Sequence, residues 1–552
     1  MTSQVARHGW PALVTTGARE DRPLLGRTLA DYDVVDDEAV WQPPPGFGWI
    51  EAAIQANVFL YGFDATLTAS TYAVISSEFG AANAASWLTT SYLVTSTAFQ
   101  PLYGRFSDIF GRRVCFITSC IAFGLGCLGC GLATDFVTLS LMRALSGFGG
   151  GGLVTMATII NSDLIPFRRR GMYQAMQNGV SGFGSVSGAS FGGIIADHIG
   201  WRWCFLLQVP ISATALLLGS LVLNNPAMDA YMSRDDDEEL APRTFWRRVD
   251  ILGSLVLISA VSVQLLGLSL GGNELPWDSP WVIGALAGSV ILFALFLLVE
   301  ARTSATPIIP LHLLRGSLPI LTQMANICLG LAAYAYLFML PLFFQVVLED
   351  SATTAGARLA IPSLATPLGG LIAGLAMARW GKLLWLMRLG ALVMVSGNAL
   401  VTSLRFSDSS WKYLVYIFPA NLGQGIVFPS VLFTSLASFE HSDHAVSVST
   451  TYLIRSLGQV WGVAITSAMV QTTLSARLPA ALGDIPEKAK LIEEIRHSVT
   501  ALESLPVKVR LAARKVYYEG IRYGFATSTS FAAAALILAL VASPRGLRRK
   551  IR

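Results

Sequence analysis

Charged side chains are scarce in this sequence. Only 13% of the 552 residues are Asp, Glu, Lys or Arg, whereas 53% are hydrophobic and 50 are glycine. Soluble globular proteins carry about 25% charged residues. The composition therefore disfavours a soluble enzyme and indicates a protein whose many helices cross a membrane.

Several chemical signatures are also missing. The chain has no Gly-x-x-x-x-Gly-Lys-Ser/Thr loop for ATP phosphates, which disfavours direct ATP coupling. Of its six cysteines, Cys127 and Cys130 have metal-pair spacing, but no second pair or histidine accompanies them. We expect no metal, no cofactor and no catalytic cluster. The basic residues are spread over separate loops, so nothing indicates nucleic acid binding.

Residues 1–48 form a polar tail that is rich in proline and charge. The tail lacks the apolar core of a signal peptide, so we expect a disordered segment that stays in the cytosol. Glu20, Leu24 and Leu25 match the acidic dileucine pattern that adaptor coats recognise as a sorting address. A six-residue pattern also arises by chance, and an ordinary disordered tail is the alternative.

Beyond the tail, the chain contains fourteen apolar segments of about 20 residues, each long enough to cross a bilayer core of about 30 Å. The predicted transmembrane helices cover approximately residues 50–76, 86–104, 113–133, 136–160, 172–196, 203–223, 251–272, 281–300, 319–347, 355–378, 383–404, 411–438, 447–473 and 522–542.

The distribution of Lys and Arg predicts the orientation of these helices. Alternate loops are basic, as at Arg112 and Arg113, at 168–170 and at 243–248, and so is the C-terminal tail, 543–552. The other short loops are nearly free of Lys and Arg. Basic loops stay on the cytosolic side, which places both termini there and agrees with an even number of helices.

The two halves of the chain are related. Gly104, Asp108, Gly111 and Arg112 recur 270 residues later as Gly374, Ala378, Gly381 and Lys382, and Gly188 and Gly192 recur at the same offset as Gly458 and Gly462. We therefore predict a duplication, in which helices 1–6 correspond to helices 9–14. The predicted units are a bundle at 49–223, a cytosolic linker at 224–250, two inserted helices at 251–300 and a second bundle at 301–542.

The loop between the second and third apolar segments carries the most specific motif. It places Gly104, Asp108, Gly111, Arg112 and Arg113 at fixed spacing, where glycines allow tight turns and the charged groups can clasp helix ends. This loop resembles the G-x-x-x-D-x-x-G-R-R signature of the major facilitator superfamily. The resemblance implies an all-α membrane protein with two six-helix bundles, here with two inserted helices and fourteen in all. It also implies that transport gating involves this loop.

Other motifs resemble particular branches of that family. Residues 141–151 resemble the fourth-helix motif of proton-coupled members, and Gly188, Gly192 and Gly193 resemble the packing motif of helix 5, although Ala189 stands where drug:proton antiporters usually have proline. Residues 63–72, 201–210 and 496–518 resemble fungal vacuolar basic amino acid transporters.

Asp64 is the main candidate for coupling transport to protons. It lies about 14 residues into helix 1, about 20 Å along it and near the middle of the membrane. An unpaired carboxylate there costs at least a few kcal/mol, so it must be protonated, paired or in a wet cavity. The alternative is a packing hydrogen bond to Thr66 or Thr68. Arg143 and Arg455 either partner such an acid or extend towards the membrane boundary.

Uncharged polar residues within the spans have two interpretations. Gln177, Asn178, Asn326, Asn421 and Gln424 could line a central cavity, or each could bridge two helices. The charged loop 475–521 carries apolar residues at helical spacing, which predicts amphipathic helices on the non-cytosolic face that act as a lid or as a surface platform.

The resemblance implies a proton-coupled transporter that moves lysine, histidine or arginine across the vacuolar membrane by alternating access. Three alternatives remain: a plasma-membrane efflux pump for drugs or fungal metabolites, a receptor or scaffold that does not transport, and, with least support, a membrane enzyme. The expected partners are a cationic amino acid, protons and the lipid bilayer, with adaptor coats for the tail.

Overall fold

The computed structural model describes residues 43–44, 46–79, 87–223, 249–271, 275–303, 305–310, 313, 315–350, 352–439, 443–482, 492 and 506–543. The candidate sorting signal at Glu20, Leu24 and Leu25 lies outside these residues, as do most of the linker 224–250 and nearly all of the C-terminal tail.

Fourteen long helical elements are present in the described part of the chain, which confirms the predicted number. They are α1 Phe47–Glu78, α2 Trp87–Phe110, α3 Arg112–Leu132, α4 Phe136–Leu164, α5 Phe167–His198, α6 Trp201–Val222, α7 Ile251–Leu270, α8 Pro280–Arg302, α9 Ser317–Leu342, α10 in two pieces (Ala352–Ser363 and Ala365–Trp380), α11 Leu383–Thr402, α12 Ser410–Leu436, α13 His444–Ala481 and α14 Val507–Val541.

Nine of the described helices are long and apolar enough to cross a membrane by their own composition. The other five, α1, α2, α4, α5 and α10, are less apolar over their length. Three of them, α2, α5 and α10, form most of the contacts between the two bundles together with α13. Their reduced hydrophobicity follows from this position, because a surface that packs against protein needs small residues more than it needs large apolar ones.

The helices form two bundles with the same internal arrangement. In the first, α1 packs on α5 and α6, and α4 packs on α2 and α3. In the second, α9 packs on α13 and α14, and α12 packs on α10 and α11. Each pairing in the first bundle recurs eight helices later, as a duplicated six-helix unit would require.

Glycines account for the closest of these repeated contacts. A Cβ atom added to Gly188 in α5 would lie 2.2 Å from the carbonyl oxygen of Phe63 in α1. The equivalent atom on Gly458 in α13 would lie 2.4 Å from the carbonyl oxygen of Ile327 in α9. Both helix pairs therefore approach so closely that only glycine fits at the crossing.

The inserted helices α7 and α8 pack on each other beside the two bundles. Helix α7 also contacts α2 and α13. Helix α8 is largely uncovered, with Trp281 79% exposed and Ile291 68% exposed. Large apolar side chains with no protein neighbour suit a helix that faces lipid acyl chains.

The long loop predicted at 475–521 is shorter than expected. Helix α13 continues to Ala481 and α14 begins at Val507, so both extend well beyond the predicted spans. The extensions are joined by an ion pair between Arg477 and Glu519. Sequence hydrophobicity marks where a helix leaves the bilayer, whereas the helix itself continues as long as its backbone hydrogen bonds are made. Most of the intervening segment, 483–505, lies outside the described residues.

Candidate functional site

The signature loop joins the ends of several helices in the first bundle. Arg112 donates to the carboxylates of Asp108, at 2.6 Å, and Asp163 at the end of α4, at 2.8 Å. Arg113 donates to the carbonyl oxygen of Ser220 in α6, at 2.7 Å. Gly111 makes the turn between α2 and α3 with φ of +89°, a conformation that side chains disfavour. The charged residues thus clasp α2, α3, α4 and α6 at one end of the bundle.

The same end of the molecule is where the bundles touch most closely. A Cβ atom on Gly104 in α2 would lie 2.1 Å from the hydroxyl of Ser449 in α13, and one on Gly374 in α10 would lie 2.7 Å from the backbone of Gly171 in α5. Because Gly104 and Gly374 are the repeat-related glycines, both crossings between the bundles use the same motif. The molecule is therefore closed at the end that carries the basic loops.

Asp64 and Arg143 form an ion pair inside the first bundle. Nη1 of Arg143 in α4 lies 2.8 Å from each carboxylate oxygen of Asp64 in α1. The Asp64 side chain is 0% exposed and the Arg143 side chain 1% exposed. Of the three states open to Asp64 from the sequence, the structure shows the paired one, with the carboxylate fully buried.

Every nitrogen of the Arg143 guanidinium has a partner. Nε donates to the carbonyl oxygen of Leu88, and Nη2 donates to the hydroxyl of Thr68, at 3.0 Å. The rings of Tyr92 and Phe205 lie 4.6 Å and 5.6 Å from the guanidinium carbon. These contacts come from α1, α2 and α6. A buried ion pair is stable only when such additional partners satisfy its remaining donors.

The sequence alone did not show which nearby residues bond to the Asp64 carboxylate. The hydroxyl of Thr66 donates to the carbonyl oxygen of Ser185 in α5, so it serves helix packing and does not bind the acid. Gln208, in contrast, donates to Asp64 from α6 at 3.4 Å. This contact places one residue of the 201–210 motif at the Asp64 carboxylate. The signal that could have identified it was a buried amide in an otherwise apolar span.

Arg455 lies in the second bundle and has no carboxylate partner among the described residues. Its Nε donates to the side-chain oxygen of Asn326 in α9, and its Nη2 donates to the carbonyl oxygen of Phe428 in α12, both at 3.2 Å. The rings of Phe428 and Tyr452 lie 4.3 Å and 5.5 Å from its guanidinium carbon. The Arg455 side chain is therefore held in place without being neutralised.

Hydroxyl and amide groups connect the bundles next to Arg455. The hydroxyls of Tyr452 in α13 and Thr158 in α4 lie 2.9 Å apart. Ser456 donates to the side-chain oxygen of Gln100 in α2 at 3.1 Å. These residues were not among the sequence candidates. Their signal was weak, since Ser and Thr in membrane helices usually bond to their own helix backbone.

The polar residues proposed as cavity lining fall into two groups. Asn326, Asn421 and Gln424 bridge helices within the second bundle: Asn326 binds the carbonyl oxygen of Thr451, and the Tyr336 hydroxyl donates to Asn421 and Gln424. Gln177 and Asn178 belong to a cluster on α5. Gln177 accepts a hydrogen bond from Thr158 at the boundary between the bundles.

The glycines of the helix-5 motif differ in their surroundings. Gly188 is in backbone contact with α1, whereas a side chain on Gly193 would meet no atom within 4 Å. The carbonyl oxygen of Gly192 accepts a hydrogen bond from the thiol of Cys204. The structure therefore gives Gly188 a packing role and gives Gly193 none. Among the described residues, no group of three or more His, Cys, Asp or Glu is placed to hold a metal ion.

A cavity of ≈ 670 Å³ lies between α7, α13 and α14, away from the contact between the bundles. Its lining includes Trp277, Trp461 and Met469 and contains no charged residue. An uncharged, mostly apolar lining suits acyl chains better than a hydrophilic solute. The charged residues described above do not contribute to this cavity.

Comparison with known proteins identifies relatives that share this architecture. The chain is 44% identical over 460 residues to "Vacuolar basic amino acid transporter 2" of Saccharomyces cerevisiae, covering 82% of this chain and 97% of that protein. It is 34% identical over 485 residues to "Multidrug resistance protein fnx1" of Schizosaccharomyces pombe, covering 86% and 88% of the two chains.

Solved structures agree on the fold. The proton:xylose symporter XylE superposes with a TM-score of 0.59 at 14% identity, covering 92% of this chain and 99% of that one. The sequence profile of the Major Facilitator Superfamily matches residues 56–463. With its duplicated bundles, its signature loop and these relatives, the chain belongs to the Major Facilitator Superfamily and is a multi-pass membrane transporter.

Proposed function

We propose that this protein is a proton-coupled secondary active transporter that moves basic amino acids across the vacuolar membrane by alternating access. The observation that carries the proposal is the ion pair of Asp64 with Arg143, buried completely within a membrane bundle. Intramembrane charges of this kind are characteristic of proton relays in pumps and transporters. The substrate class and the membrane follow the name of the yeast relative that is 44% identical.

Protonation of Asp64 is the proposed coupling step. A proton on this carboxylate removes its charge and so removes most of its attraction for Arg143. Leaving a buried arginine without its counter-ion costs about 3–5 kcal/mol. Protonation therefore favours a second arrangement of the bundle in which Arg143 finds other partners. The two arrangements would correspond to the two states of alternating access.

Asp64 could also act as the counter-charge of a cationic substrate, but only after its present ion pair has separated. Both of its oxygens are occupied by Arg143 in this state, and neither side chain is open to water. A cationic amino acid could reach the carboxylate only after Arg143 had moved away. We therefore assign Asp64 to the proton first and to the substrate only in another state of the cycle.

The proposal also gives the direction of transport and the orientation of the protein in the membrane. Protons leaving an acidic vacuole would drive lysine, histidine or arginine into it. The basic loops and both termini would face the cytosol, where the tail could present Glu20, Leu24 and Leu25 to an adaptor coat. In this orientation the structure is closed on its cytosolic side.

The test is uptake of labelled lysine, histidine and arginine into vacuolar vesicles that maintain a proton gradient. We expect uptake that a protonophore abolishes and that Asp64→Asn eliminates. Glu78→Gln is the matched control on the same helix, because Glu78 pairs with Arg202 at the exposed end of α1. Loss of a proton-dependent signal with Asp64→Asn but not with Glu78→Gln supports the proposal.

Efflux of drugs or metabolites at the plasma membrane is the second candidate. It is favoured by similarity to the protein named a multidrug resistance protein. Transport of a drug but of none of the three amino acids by the same vesicles would replace the first proposal with this one. If Asp64→Asn instead left every phenotype of the cell unchanged, the protein would be a receptor or scaffold.

A further inference from the structure

The guanidinium of Arg455 has a nitrogen that is free to bind a ligand. Its Nε and Nη2 each donate one hydrogen bond, to Asn326 and to Phe428. Its Nη1 donates to no atom of the residues that the structure describes. Arg143 has partners on all three nitrogens, so the open nitrogen distinguishes Arg455 from Arg143.

Arg455 lies next to the residues through which α13 contacts the first bundle, and the ring of one of them, Tyr452, is 5.5 Å from its guanidinium carbon. Tyr452 lies one turn before Arg455, and Ser456 lies one residue after it. Both side chains form hydrogen bonds to the first bundle, Tyr452 with Thr158 and Ser456 with Gln100. Residues three and four apart lie on the same face of a helix. The open nitrogen is therefore close to the boundary between the bundles, where a transported molecule must pass.

Three tyrosines surround this position. Tyr452 and Tyr334 are near enough to Arg455 to interact with it electrostatically, and Tyr61 in α1 is likewise close to both of them. Tyr334 lies in the middle of α9 yet is 40% exposed. Because Tyr61 belongs to the other bundle, Tyr334 and Tyr452 lie near the boundary between the bundles.

We propose that Arg455 binds the α-carboxylate of the amino acid that is transported. This inference rests on the proposed function, and it adds the residue that would recognise the part common to all amino acids. The planar guanidinium matches a carboxylate in shape and charge, and such pairs form strong, charge-assisted hydrogen bonds. The tyrosine rings would border the cationic side chain, to which aromatic faces are attractive.

A purely structural role would account for the charge of Arg455 only through its contacts with the rings of Phe428 and Tyr452. The two hydrogen bonds to Asn326 and Phe428 require only neutral donors, which glutamine could provide. A buried cation without a counter-ion is costly, whereas a cation that is neutralised each time substrate arrives supplies binding energy. The proposal therefore predicts that Arg455 recognises the negative charge of the ligand specifically.

The experiment compares lysine with lysinamide, which keeps both amino groups but lacks the carboxylate. In vesicles with the unmodified protein, we expect unlabelled lysine to inhibit uptake of labelled lysine at concentrations about tenfold or more below those of lysinamide. Arg455→Gln should raise the KM for lysine by about the same factor and should leave inhibition by lysinamide unchanged. Arg455→Lys, which keeps the charge, should restore part of the preference.

Thermal stability measures substrate binding in variants that bind the amino acid but do not transport it. The purified protein in detergent should be stabilised against heating by lysine more than by lysinamide, and Arg455→Gln should remove that difference. Arg477→Gln, which removes an exposed arginine from the far end of the same helix, is the matched control and should retain it. Equal membrane levels of all variants establish that they fold.

Two outcomes would overturn the inference in distinguishable ways. If the unmodified protein transports lysine but Arg455→Gln keeps the full preference for lysine over lysinamide, Arg455 does not bind the carboxylate and the proposed function stands. If the unmodified protein neither transports nor is stabilised by any basic amino acid, the proposed function fails and this inference fails with it.

Discussion

The two bundles share their helix packing but differ in how each holds a buried arginine. In the first bundle, Arg143 is neutralised by Asp64 and has partners on every nitrogen. In the second, Arg455 has only neutral acceptors and keeps one nitrogen open. Duplication thus preserved the backbone contacts while the charged groups diverged. The first half therefore holds an arginine that is paired with a carboxylate, whereas the second half holds an arginine with one nitrogen open to a ligand.

The largest effect expected from this comparison concerns stability. Arg143→Gln strands the buried Asp64 carboxylate and should destabilise the protein by about 3–5 kcal/mol. Arg455→Gln strands no charge and should cost about 1–3 kcal/mol, the value of the two hydrogen bonds that Arg455 makes. Thermal unfolding in detergent, followed by fluorescence, compares the two variants directly.

A double variant provides the control. Combining Asp64→Asn with Arg143→Gln removes both charges and should recover most of the stability lost in Arg143→Gln alone, because neutral amides can still bond to each other. Proton-coupled transport should remain absent. If Arg143→Gln and Arg455→Gln are equally unstable, the distinction between a paired and an unpaired arginine is wrong.

A smaller effect should be equal in the two halves. Gly188→Ala and Gly458→Ala each place a methyl group against a carbonyl oxygen of the neighbouring helix, at 2.2 Å and 2.4 Å in the present arrangement. Such overpacking should cost about 1–3 kcal/mol at either position. Gly193→Ala, which meets no atom within 4 Å, is the matched control and should leave the melting temperature unchanged. A clear inequality between the first two variants would show that the halves do not pack alike.

The smallest effect concerns the contact between the bundles. Tyr452→Phe removes one hydroxyl from the pair with Thr158, and Thr158→Val removes the other. Each change should alter stability by about 0.5–1.5 kcal/mol, and the double variant should cost less than their sum. A double-mutant cycle on melting temperatures measures the coupling. Strict additivity would mean that the two hydroxyls do not bond in the protein in solution.

The fold was predictable to a large extent from sequence because hydrophobic length, loop charge and glycine spacing report on the bilayer and on helix crossings. The fourteen helices and the relation of Gly104 to Gly374 follow from such local signals. The end of α13 at Ala481 does not, since the helix continues beyond its apolar stretch, with Leu474 and Leu478 buried in the core of the second bundle.

The candidate site was predictable only in part. An acid in the middle of a membrane helix identifies Asp64, and a family motif identifies Arg143, but neither reveals that the two side chains meet. Asp64 and Arg143 are 79 residues apart in the sequence, and the distance between α1 and α4 depends on the packing of the whole bundle. Thr66 and Thr68 show the same limit, because two hydroxyls of one helix turn serve different partners.

The glycine crossings between the bundles have a mechanical consequence. At Gly104 the backbone of α2 lies against the side chain of Ser449, and at Gly374 the backbone of α10 lies against that of Gly171, so neither glycine inserts a side chain between the halves. A glycine has no side chain that must disengage before one half tilts against the other. We therefore expect these two crossings to resist such a tilt less than crossings between large side chains would.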